Sequence, residues 1–174
     1  MKRNIGLKRH TVKLSSHSDE WRQDADNLKQ KLIPLLADVV LDIQHVGSTS
    51  VHGLKAKPII DMIIWVQKLG DIYDYISRLE EVGVYHREDN DNESQVFFAC
   101  GDLDNDIITH HIHVILYNSK VRDDYIKFRD ILNNNNEKKE EYEQLKQNLA
   151  KKFFNDRKSY TSSKKDFIQN VLNN

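Results

Sequence analysis

The chain has 174 residues, of which 39% are hydrophobic and 30% charged, and a net charge of −1. That is the size of one domain with a sizeable core, and the near-zero charge gives no strong nucleic-acid signal. No stretch reaches the roughly 18 apolar residues a bilayer span needs, and the polar start at 1–10 is not a signal peptide, so no membrane partner and a cytoplasmic location are expected.

Residues 1–17 read as an irregular arm or edge strand, with 11–14 as its extended piece. Ser15, Ser16 or Ser18 is a natural cap for a helix running to Leu36, whose apolar positions Trp21, Ala25, Leu28 and Leu32 recur every three or four residues. Two apolar runs, 39–46 and 57–66, read as strands, and 70–82 as a helix that Gly83 ends. The stretches 84–87 and 95–100 form a hairpin across a polar loop, and 107–117 is a longer strand. Helices follow at 120–132, at 137–154 after an asparagine breaker at 133–136, and at 159–172. The fold class is therefore α+β: a mixed sheet of four to six strands with helices packed on it, a helical C-terminal third and one domain over 1–174. The lone Cys100, beside Phe97, Phe98 and Ala99, rules out an internal disulfide framework and reads as a small buried hydrophobe.

The chemistry concentrates between the first two runs, in Gln44-His45-Val46-Gly47-Ser48-Thr49-Ser50 and the segment on to Asp61. Gly47 lets the backbone approach a ligand, and Ser48, Thr49 and Ser50 cap a following turn whose N–H groups favour an anion. Asp61 is the one acid inside an otherwise apolar strand. Alternation along 107–117 puts His111 and His113 on one face with Thr109 and Ile115, while His110, Ile112 and Val114 take the other. If the strands are neighbours, His45, Asp61, His111 and His113 converge on one side of the sheet. Other motifs fail. Gly47 and Gly53 lack the Lys-Ser/Thr of a P-loop. The Asp102 loop has Ile107 and His113 where a calcium loop needs Gly and Glu. No Gly-x-Ser-x-Gly elbow is present.

The hydrophobic-Gly-Ser…Asp spacing resembles the nucleotidyltransferase superfamily. The wording from His45 to Asp61, with His110 to Val114, Phe128-Arg129-Asp130 and the helix carrying Tyr142 and Lys146, resembles the GrpB family within it. The resemblance implies a nucleotide or other phosphorylated small molecule as ligand. Gly47, Ser48, Thr49 and Ser50 would hold phosphate, with Lys55, Lys57 and Arg129 reaching its oxygens. Asp61 would be the catalytic acid and hold a divalent metal, Mg²⁺ or Mn²⁺, with His111, His113 and His45 as further ligands; imidazoles would equally admit Zn²⁺ or Ni²⁺. Tyr142, Lys146 and Lys164 match more loosely. Two departures stand out. Ile63 occupies the position of the superfamily's second acid, which weakens the expectation of nucleotidyl transfer, and His52 stands where the motif usually carries proline. The rival readings are a ligand-binding or regulatory module that kept the pocket without the chemistry, and a metal-dependent hydrolase built on the histidines.

Overall fold

A computed structural model describes residues 5–173. Of the N-terminal arm, residues 1–4 lie outside the described part, as does residue 174. The elements are β1 (Leu7–Lys8), α1 (Glu20–Leu35), β2 (Val40–Val46), β3 (Ile60–Val66), α2 (Ile76–Glu81), β4 (Val84–His86), β5 (Gln95–Asp102) and β6 (Ile107–Leu116). They are followed by α3 (Lys120–Asn134), α4 (Asn136–Lys152), α5 (Arg157–Ser162) and α6 (Lys165–Asn173). The strands form one six-stranded mixed sheet in the order β2-β3-β6-β5-β4, with β1 pairing β6. Only the β3–β6 pairing on this path is parallel, and it requires the crossover through α2 and the β4–β5 hairpin.

The two faces have different jobs. Trp21, Ala25, Leu28 and Leu32 of α1 pack on Ile43, Ile60, Met62, Ile64, Ile112 and Val114, and this is the main core. Val46, Ile63 and Ile115 point the other way, toward Val121, Tyr125 and Ile126 of α3. Ile63, where the superfamily has an acid, is fully buried in that smaller cluster. Burial pushes the Cys100 thiol up to about 12, in keeping with a packing role.

Several boundaries differ from the sequence expectation. The edge strand is Leu7–Lys8, not 11–14, because Leu7 and Lys8 find a free stretch of β6 beyond the end of β3. The helix expected at 70–82 is a 3₁₀ segment, Leu69–Tyr75, that becomes α-helical at Ile76. The asparagine breaker shrinks to Asn135, which ends α3 and caps α4 by accepting from the Lys138 amide. The last expected helix is two, α5 and α6.

Candidate functional site

The site lies on the α3 side of the sheet, where β2 ends. Val46 pairs with Asp61 across the antiparallel β2–β3 ladder, and Asp61 pairs with His111 across the parallel β3–β6 ladder. Cross-strand partners share a face, so the Gly47 turn, Asp61 and His111 are brought together by register alone. Gly47 has φ +70°, which favours glycine, and a Cβ there would lie 2.5 Å from Asp61 Oδ2. The turn and the acid therefore touch at a position where only a hydrogen side chain fits.

Asp61 Oδ1 accepts from His111 Nδ1 at 3.1 Å, while the acid side chain keeps 31% exposure. Burial would raise the Asp61 carboxyl, but the His111 hydrogen bond and charge, then His113 and Lys57, outweigh it and hold the group well below the usual carboxylate range. With Nδ1 committed to Asp61, Nε2 is the His111 nitrogen left for other chemistry: a carboxylate-oriented imidazole of the kind that moves a proton. His113 is enclosed by Phe97 and Tyr125, with Nδ1 against Gln95 Oε1 at 2.9 Å. Burial pushes its pKa down to about 4, so it is neutral at pH 7.

These groups line a cleft of about 890 Å³ whose walls include Gly47, Ser48, Lys57, Asp61, His111 and His113, together with Arg157, Tyr160 and Lys164 from the helical C-terminal part. The Lys57 and Lys164 ammonium groups sit 5.2 and 4.7 Å from the centre of the Tyr160 ring. Burial, then the neighbouring cations Arg157 and Lys164, push Lys57 down to about 7. Burial likewise brings Lys164 to about 8, even though Asp61 favours its charge. Arg157 Nη2 is buried without a hydrogen-bond partner. Three crowded cations and one carboxylate make a place that an anion would relieve.

Ser48 lines the cleft, with its side chain beside Tyr142. The other expected residues go elsewhere. Thr49 is buried, with Oγ1 2.9 Å from His45 Nε2, and Ser50 Oγ donates to the Gly47 carbonyl. His45 pairs with Met62, so it faces the α1 side of the sheet, opposite Asp61; antiparallel register puts residue 46, not 45, on the cleft face. The expectation that His45 joins Asp61 on a metal is corrected by that parity. Lys55 lies against Glu143 of α4 and not in the cleft, with its amide donating to Oε2 and its ammonium 3.4 Å from Oε1. Arg129 also stands outside, bonding Asp130, Gln44 Oε1 and the His45 carbonyl, which ties α3 to β2. Lys146 is buried in α4, donating to the Lys55 carbonyl and lying 4.8 Å from the Tyr142 ring centre.

The donor set decides which metal fits. Among the described residues, Asp61, His111 and His113 do not bring three ligand atoms within 4.8 Å of one another, so an imidazole-rich Zn²⁺ or Ni²⁺ cage is not formed there. A single carboxylate is compatible with Mg²⁺ or Mn²⁺, which take only one or two protein carboxylates when phosphate and water complete the shell. Sequence reasoning missed Arg157 and Tyr160. Their signal was present, since residues 157, 160 and 164 recur at helical spacing, but nothing local says that this end of the chain folds back over β3.

Known proteins resemble this chain in fold and in sequence. A crystal structure of GrpB from Enterococcus faecalis superposes with a TM-score of 0.83 at 24% identity, covering 92% of this chain and 95% of that one. The Cid1 poly(U) polymerase bound to MgATP superposes at 0.53 with 14% identity, over 78% of this chain and 44% of that one, which identifies the sheet as nucleotidyltransferase-like. The "Glutamate-rich protein GrpB" of Alkalihalophilus pseudofirmus is 41% identical across 97% of this chain and 98% of its own length. "UPF0157 protein BH1888" of Halalkalibacterium halodurans is 32% identical over 95% and 84%. With residues 11–174 matching the GrpB protein family, and the Gly47 turn, Asp61 and His111 brought together on a nucleotidyltransferase-like sheet, the chain belongs to the GrpB family.

Proposed function

We propose that this protein binds a nucleotide or similar polyphosphorylated small molecule in the Asp61 cleft. Phosphate oxygens would lie against Lys57, Lys164 and Arg157 and beside the Gly47-Ser48 turn. The observation that carries the reading is the pair Lys57 and Lys164 on the Tyr160 ring, with Arg157 as a neighbouring cation whose guanidinium has an unpartnered nitrogen, next to the turn that touches Asp61. A cleft of about 890 Å³ has the volume of a small-molecule site. The nucleotidyltransferase-like fold supports the same ligand class.

Asp61 would hold Mg²⁺ or Mn²⁺, which when bound would supply positive charge to offset that of the phosphates. His111, oriented by Asp61, would take the proton of an attacking hydroxyl at Nε2. Nucleotidyl transfer is the reaction this arrangement favours. One observation favours the non-catalytic rival: Ile63 leaves no second carboxylate on that strand face, and it is sealed in the core. Incubating the protein with labelled ATP, CTP, GTP and UTP and Mg²⁺ or Mn²⁺ separates the two. Label appearing on an acceptor, and lost in Asp61→Asn, supports transfer. Nucleotide-dependent thermal stabilisation without turnover supports the binding module, and neither result with any nucleotide rejects both.

A further inference from the structure

We propose that His17, Asp19 and His52 form a second divalent-metal site, for Zn²⁺ or a neighbouring late transition metal, outside the Asp61 cleft. They are the one group of three His, Cys, Asp or Glu side chains among the described residues whose ligand atoms all lie within 4.8 Å of one another. None of the three lines the cleft. His17 Nε2 stands 3.5 Å from Asp19 Oδ1. Two ligands held about 2.1 Å from a tetrahedral zinc are separated by about 3.4 Å, so this edge of the polyhedron is already at its working length.

The surroundings hold His17 and leave the Asp19 carboxylate free to turn toward an ion. His17 is held edge-on against the buried Trp21, 5.6 Å between ring centres and 86° between planes. Its Nδ1 is buried without a hydrogen-bond partner, so Nε2 is the nitrogen open to an ion. Asp19 occupies the N-cap position of α1 yet makes no capping hydrogen bond, and its carboxylate is 90% exposed. His52 is adjustable as well. It is exposed, its ring centre lies 5.0 Å from that of His17, and its amide is tied to Asn133 Oδ1 at 3.1 Å. A rotamer change of an exposed imidazole closes the remaining gap.

Two borderline imidazoles beside one hard carboxylate suit Zn²⁺, Ni²⁺ or Cu²⁺, and the nitrogen majority discriminates against Mg²⁺. With three protein ligands, water takes the fourth position. The ion would join the start of α1 to the 51–53 segment that leaves the Gly47–Ser50 turn.

The test is zinc titration of the full, tag-free chain against a chromophoric chelator, with melting followed in parallel. The site predicts one tight equivalent of Zn²⁺ and a melting temperature that rises with zinc. His52→Ala and Asp19→Asn should each weaken zinc binding at least tenfold, while Asp61→Asn keeps it. Because residues 19 and 52 are exposed, melts in EDTA should be the same for both variants and the parent, and a His17→Gln variant gives a third reading of the same site. Absence of a zinc equivalent overturns the site, as does binding that survives His52→Ala or is lost in Asp61→Asn.

Discussion

A Cβ at residue 47 would meet Asp61 Oδ2 at 2.5 Å, on a backbone with φ +70°. Gly47→Ala must therefore displace either the turn or the carboxylate. We expect it to cost about 1–3 kcal/mol of stability and to weaken ligand binding, read by thermal melting and titration on the same sample. Asp61→Asn acts differently. It keeps the shape but removes the one acid that favours the charge of Lys57, Lys164 and Arg157. The Lys57 and Lys164 pKa values should then fall further below about 7 and 8, which NMR of labelled lysine side chains measures directly. A rise in either value would contradict this assignment of neighbours.

At the scale of the elements, much of the sheet side of the site was legible. Alternation alone put His111 and His113 on one face of β6, and the Gly-Ser…Asp spacing paired the turn with β3. Parity was not legible for β2, because whether residue 45 or 46 faces the cleft depends on a register that only the β3 partner sets. Lys55 and Arg129 were misplaced for a related reason. Each is near the turn in sequence or motif but finds a closer partner in tertiary contact, Glu143 for one and the His45 carbonyl for the other. The helical half was legible as helices but not as a wall of the cleft. Its joints can be tested: Asn135 ends α3 and caps α4, so Asn135→Ala should lower stability by about 1 kcal/mol, measured by urea unfolding, and leave the ligand affinity nearly unchanged.

For the whole molecule, the buried lysines set the response to pH. Native Lys57 and Lys146 titrate at about 7 and Lys164 at about 8, all below the ordinary lysine value of 10.5. Between those values the unfolded chain holds protons that the native chain lacks, so these groups make stability rise as pH climbs from about 7 toward 10. A bound phosphate reverses the sign for the two lysines of the cleft. It stabilises their charged forms, so binding takes up protons and affinity should fall between about pH 7 and 9. Calorimetry in buffers of different ionisation enthalpy reads that uptake. The described helices include none long and apolar enough to cross a membrane.

The central claim, that the C-terminal cations hold phosphate beside Asp61, is tested most directly by calorimetric titration of Mg²⁺-nucleotides into the parent protein and Arg157→Ala. The account predicts saturable one-to-one binding that Arg157→Ala weakens about tenfold or more, the loss of one charge-assisted contact. Binding of undiminished strength in Arg157→Ala, or none by the parent with any of the four nucleoside triphosphates, would contradict it.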